Sequence, residues 1–92
     1  MKIKVKLLKP FSDVAGKGEV YLEFSEGNVN SALDELCKLI PNLKKEIYNE
    51  SGEIDFTVNI FINDLPMSAL QNEETKLSEG DELLIFMPVG GG

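Results

Sequence analysis

Glu82-Leu83-Leu84-Ile85-Phe86-Met87-Pro88 carries five consecutive apolar residues and is closed by a proline. A strand that is apolar on both alternating faces suits the centre of a sheet better than its edge. Pro88 lacks the N–H needed to continue pairing, so the strand must stop there. Ser78-Glu79-Gly80-Asp81 before it is a turn, and Val89-Gly90-Gly91-Gly92 follows it. Three consecutive glycines have no side chains to pack. Taken alone, this ending is equally readable as a frayed terminus or as a main-chain carboxylate presented on a thin, flexible leash.

Working outward, Lys2-Ile3-Lys4-Val5-Lys6-Leu7 alternates strictly, with Ile3, Val5 and Leu7 on one face and the lysines on the other. Pro10 to Gly18 is expected to be a loop, with Phe11 and Val14 tucked beneath it. Val20, Leu22 and Phe24 alternate with Glu19, Tyr21 and Glu23, giving a second strand that returns on the first as a hairpin. Val29, Ala32, Leu33, Leu36, Cys37 and Ile40 then form one apolar helical stripe. Asn28 or Asn30 can cap that helix, and Asp34 and Glu35 lie in its early turns. Pro41 ends or redirects it, because Ile40 is pushed out of helical geometry. Leu43 and Ile47 predict a further short turn of helix, closed by Asn49 to Gly52. Phe56 to Ile62 alternates again, with Phe56, Val58, Ile60 and Ile62 expected inward. Asn63-Asp64 is a tight-turn pair, and Met67 to Leu77 is irregular with room for a short edge strand.

A hairpin, a helix crossing one sheet face, a strand, an irregular segment and a final central strand define an α+β domain. With the last strand beside and parallel to the first, this is the β-grasp (ubiquitin-like) arrangement: a mixed sheet with one main helix packed on one face. Residues 1–89 are expected to form a single domain, and residues 90–92 a flexible C-terminal tail.

Composition narrows the chemistry. The chain has 92 residues, one cysteine and no histidine. A disulfide framework is therefore excluded, and a zinc or iron–sulfur centre is not expected. Net charge is −7, with sixteen acidic residues against nine basic, so nucleic acid is not an expected partner. The sequence has no stretch resembling a membrane span or a signal peptide, which points to a cytoplasmic protein with no membrane partner. Cys37 sits on the helix stripe, where a core thiol is expected rather than a nucleophile. Gly16-Lys17-Gly18 lacks the spacing of a phosphate loop.

Leu77-Ser78-Glu79-Gly80-Asp81-Glu82-Leu83, running into Phe86-Met87-Pro88-Val89 and terminal glycines, resembles the small subunit of molybdopterin synthase (MoaD). It is equally similar to the archaeal ubiquitin-like small modifier proteins, and more distantly to the thiamine sulfur carrier ThiS. Leu7-Leu8, Phe11 and Val14-Ala15-Gly16 resemble the first strand and loop of the same group. Val29 to Leu36 resembles its helix, and Ile62-Asn63 its strand-turn asparagine. Met87 stands where the family often has a first proline, and Gly90 where it usually has another small residue.

The resemblance implies that an E1-like adenylyltransferase (MoeB/ThiF-like) uses ATP to adenylate the Gly92 carboxylate. A sulfur donor then displaces AMP and leaves a thiocarboxylate. In the MoaD reading the sulfur passes to a pterin held by a MoaE-like large subunit of molybdopterin synthase, the two subunits forming a heterotetramer. In the modifier reading, the activated carbonyl is joined to lysines of target proteins. Gly90 and Gly91 would thread into the partner site, and the protein itself would bind no cofactor and supply no catalytic group. A third reading is a β-grasp interaction module with an inert tail.

Alternation also supplies a docking surface. If Ile3, Val5, Leu7, Val58, Ile60, Ile62, Leu83 and Ile85 face the helix, then Leu8, Phe61, Leu84 and Phe86 are left for the other face, close to the tail. Contiguous exposed apolar surface marks an interface. The MoaD resemblance further implies an apolar contact with the partner subunit at Leu8 and Phe86.

Overall fold

Strand β1 (Lys2–Leu7) runs antiparallel to β2 (Glu19–Glu23) and parallel to β5 (Glu82–Phe86) in the computed structural model, which describes residues 1–88. On its other side β5 pairs antiparallel with β3 (Asn59–Ile62), which in turn pairs with the two-residue β4 (Leu65–Pro66). The sheet order is β2-β1-β5-β3-β4. The strand that is apolar on both faces is thus the central one, as its sequence requires.

Alternation sets the two faces. Ile3, Val5 and Leu7, Val20 and Leu22, Ile60 and Ile62, and Leu83 and Ile85 are all buried. Helix α2 (Val29–Leu39) closes over them with Val29, Ala32, Leu33 and Leu36, each 0% exposed. Burying each of the larger three side chains contributes about 1.5–3 kcal/mol. Cys37 and Ile40 are only partly buried, at the margin of the stripe.

Of the two possible caps for α2, the chain uses Asn28. Its Oδ1 accepts from Ser31 N–H at 3.0 Å, while Ser31 Oγ accepts from Asn28 N–H at 3.4 Å. Ser31 stands three residues on and completes a reciprocal capping box. Asp34 and Glu35 fall in the second turn rather than the first, where the helix dipole has largely faded. Pro41 ends the helix and opens a 3-10 turn (Pro41–Leu43), which leads into α3 (Lys44–Ile47). Leu43 and Ile47 are both 0% exposed, as their spacing predicts.

Two expectations are corrected. Pro10 to Gly18 is not all loop, because Phe11–Ala15 forms a short helix, α1. Pro10 stands just before its first turn, and Gly16 just after the last at φ +76°. The two residues read as breakers bound a turn of helix instead of interrupting one. Phe11 is fully buried, and Val14 packs partly against the core.

The second correction concerns Phe56, which is 93% exposed rather than inward. Asp55 Oδ1 accepts from Thr57 N–H at 2.9 Å and from Thr57 Oγ–H at 2.6 Å, and Val58 N–H donates to Asp55 O at 2.9 Å. This side-chain-braced turn takes the chain out of extended geometry, so β3 begins only at Asn59.

Candidate functional site

The parallel β1–β5 pair and the antiparallel β3–β5 pair together fix where the chain leaves the sheet. Leu7 is registered with Ile85, Leu8 N–H donates to Ile85 O at 3.1 Å, and Asn59 is registered with Phe86. The residues after β1, the residues before β3 and Met87-Pro88 therefore all emerge at one end of the sheet. At the other end β5 is tied down. Asn63 and Asp64 form the β3–β4 turn at φ +48° and +73°. Asn63 Nδ2 donates to Asp81 Oδ1 at 2.9 Å, and Asp81 Oδ2 accepts from Ser78 N–H at 2.7 Å. Gly80, at φ +85°, donates its N–H to Lys2 O at 2.8 Å.

Leu84 and Phe61 are cross-strand partners on the face turned away from α2, and both are half-buried. The Phe61 and Phe86 rings pack at 5.4 Å between centroids with a 58° interplanar angle. Such tilted aromatic packing holds the two rings in fixed relative orientation. Leu8, 50% exposed, directly follows β1 at the tail end of the sheet. The structure thus brings Phe61, Leu84 and Phe86 into one apolar strip, with Leu8 beside its upper end. Gly90, Gly91 and Gly92, together with Val89, lie outside the described residues.

Polar groups that sequence reasoning left out frame the strip. Lys4 lies between Glu19 at 3.3 Å and Glu82 at 3.9 Å. The hydrogen bond to Glu19 raises the Lys4 ammonium above its usual range. Lys6 is registered with Leu84, and Tyr21, registered with Lys4, is 59% exposed. Nothing in the alternation marks these as neighbours, since the pairing of β1 with β5 is non-local. The exposure of Phe56 did have a local signal: Asp55 two residues before Thr57 is an Asx-turn pattern.

On the helix side, an open groove of ≈ 1140 Å³ is lined by Asp34, Cys37, Lys44 and Tyr48 among others. Burial, reinforced by Asp34, pushes the Cys37 thiol up despite the opposing Lys44, the wrong direction for a nucleophile. Burial likewise pushes the Tyr48 phenol up to about 12, with Cys37 and Asp34 adding to it. Among the described residues no group of three or more His, Cys, Asp or Glu is arranged to hold a metal ion, and no helix is long and apolar enough to cross a membrane.

A five-stranded mixed sheet with β1 and β5 parallel at its centre and a helix laid across one face is the ubiquitin-like β-grasp. Within that fold the chain belongs to the ThiS family, whose model matches residues 5–92. It is a family of small sulfur carriers and ubiquitin-like modifiers. Small archaeal modifier protein 1 of Haloferax volcanii is 33% identical over 88 residues, covering 95% of this chain and 97% of the relative. The crystal structure of SAMP1 from Haloferax volcanii covers 100% of both chains at 28% identity with a TM-score of 0.89. A Pyrococcus furiosus protein provisionally assigned as molybdopterin converting factor, subunit 1, covers 97% of this chain and 99% of its own at 30% identity, with a TM-score of 0.74.

Proposed function

We propose that this protein is a sulfur carrier of the molybdopterin-synthase small-subunit kind, with the Gly92 carboxylate as its working atom and the folded domain as the handle. At neutral pH an α-carboxylate, with a pKa of about 3.3–3.7, is ionised and a poor electrophile. An E1-like enzyme would join one carboxylate oxygen to the α-phosphorus of ATP, releasing pyrophosphate. A sulfur donor would then attack the acyl carbon of the mixed anhydride and expel AMP, leaving the thiocarboxylate. Gly90 and Gly91 would pass through the enzyme's channel because they carry no side chains. A MoaE-like subunit would receive the sulfur for a pterin in molybdenum or tungsten cofactor synthesis, docking on Leu8, Phe61, Leu84 and Phe86.

The observation that carries this reading is the placement of the chain's exit. The central strand leads directly to the tail at the end of the sheet where Leu8 and the Phe86 end of an outward apolar strip lie. Likeness to the Pyrococcus furiosus converting-factor subunit supports the sulfur-carrier fate. A second fate, conjugation of the same activated carbonyl to lysine amines of target proteins, is favoured by the 33% identity to small archaeal modifier protein 1. Both fates share the adenylation step.

Intact-mass measurement of the protein isolated from its host tests both. The mass increment of one oxygen replaced by sulfur is expected for the carrier, and a ladder of larger conjugates for the modifier. A chain lacking Gly91 and Gly92 should lose function in either case. Full function without them would sink the carboxylate mechanism altogether.

A further inference from the structure

Phe56 is the most exposed large apolar residue among the described residues, at 93%. It is not there by slackness of the chain. Asp55 braces the turn through both Thr57 bonds, and Asp55 N–H is itself anchored to Ile47 O at 2.8 Å. A braced turn that holds an aromatic ring in water gains nothing for folding, since the ring buries no area. Its position is informative. Asn59 is registered with Phe86, so the residues just before Asn59 and just after Phe86 lie at the same end of neighbouring strands. Leu8 stands at that end on the other flank, following β1. The chain therefore leaves β5 at the end of the sheet where one exposed apolar residue follows β1 and another precedes the start of β3.

From this geometry we infer that Phe56 is an anchor for the adenylating enzyme, gripping the rim of its channel on the flank of the tail opposite Leu8. The inference rests on the reading of Gly92 as the activated group. Residues 89–92 span at most about 14 Å when fully extended, at roughly 3.3–3.6 Å per residue. An enzyme that reaches the Gly92 carboxylate must bring its surface within that distance of Pro88. Adjacent strands lie only about 4.8 Å apart, and a standard interface covers about 800 Å² on each partner. Such a footprint centred on the exit takes in both flanks. Aromatic residues are enriched at the cores of interfaces, and their truncation there is costly. The occupant is the adenylating enzyme because both proposed fates pass through it, and the complement is an apolar recess beside its channel mouth.

The test is ATP–pyrophosphate exchange by the purified E1-like enzyme from the same genome, with the full chain as varied substrate. Phe56→Ser should raise KM about tenfold, as expected for a lost anchor, with kcat at saturation within about twofold. Phe56→Leu should recover part of that loss. Leu65→Ser, at the opposite end of the sheet and 51% exposed, should leave KM unchanged. Thermal unfolding of Phe56→Ser should match the parent chain. The inference is overturned if Phe56→Ser leaves KM unaltered, or if Leu65→Ser raises it as much. The chain lacking Gly91 and Gly92 separates the two levels. Exchange that persists without them refutes the Gly92 reading itself. Exchange abolished there but untouched by Phe56→Ser refutes only the anchor.

Discussion

Asn63 and Glu82 hold each other at two points: Asn63 N–H donates to Glu82 O at 3.0 Å, and Glu82 N–H donates to Asn63 Oδ1 at 3.0 Å. The same side chain also donates to Asp81, so one residue at φ +48° closes the β3–β4 turn and clamps the start of the central strand. The clamp sits at the end of β5 opposite the tail, which leaves the tail end as the open one.

Replacing Asn63 by alanine removes both side-chain bonds and puts at a left-handed position a residue that tolerates it less well than asparagine. A loss of about 1–3 kcal/mol is expected, measured by urea unfolding. Asn63→Gly restores the backbone freedom and should lose less. If the two variants are equally stable, backbone strain makes no contribution at this turn.

At Gly27 a side chain has no room unless Ser31 moves. A β-carbon there would stand 2.5 Å from Ser31 Oγ and 2.6 Å from Ser31 Cβ. Gly27→Ala must displace Ser31 and open the capping box of α2, at a cost of about 1–2 kcal/mol. Ser31→Ala breaks the same cap. The double variant should therefore lose clearly less than the two single losses added together, whereas strict additivity would mean the two act on separate contacts.

The two faces of β5 should respond differently to the same chemistry. Leu83 is 0% exposed beneath α2, and Leu83→Ser should cost about 3–5 kcal/mol or prevent folding. Leu84 points the other way, and Leu84→Ser should cost about 1 kcal/mol, close to the average for a single substitution. Its larger effect should fall on affinity for the sulfur-accepting subunit, read by calorimetric titration of the two purified chains. Unchanged affinity would remove Leu84 from the docking surface.

Alkaline pH should weaken the fold through Tyr48. Its folded pKa of about 12 lies above the ordinary phenol value of 10, so the folded state holds the proton more tightly. The resulting stability is fully present below pH 10 and is lost as pH rises from 10 to 12. Because the phenol is only partly buried, the effect is discounted to about 1 kcal/mol. Urea midpoints across that range should fall in the parent chain and fall less in Tyr48→Phe, which has no proton to lose. Equal slopes would place the alkaline sensitivity elsewhere, with the Cys37 thiol, whose pKa is raised in the same direction, the next group to replace.

Much of this molecule was legible in its residues. Strict alternation in Lys2–Leu7 sorts lysines from core residues without reference to any neighbour, because the strand period is a property of the backbone. Apolar residues on both faces of Glu82–Met87 place that strand at the centre, since only a strand flanked on both sides keeps so few polar groups. Pro88 ends it for want of an N–H, and Asn63-Asp64 turns the chain because both residues accept positive φ. The apolar parity that sets Phe61, Leu84 and Phe86 on the face away from the helix follows from the same period of two.

What alternation could not decide is anything set by contacts across the sequence. Phe56 has the right parity for the core, yet an Asp55–Thr57 turn overrides parity before the strand begins. The choice of Asn28 over Asn30 depends on Ser31 reaching back to complete the cap, and the Pro10–Gly16 segment becomes helical around a Phe11 that only the assembled core can bury. Above all, it is the parallel register of β1 and the antiparallel register of β3 on either side of β5 that bring Leu8, Phe56 and the exit at Pro88 to one end of the sheet. Local periodicity states which way a side chain faces. Only the pairing of distant strands states what it faces beside.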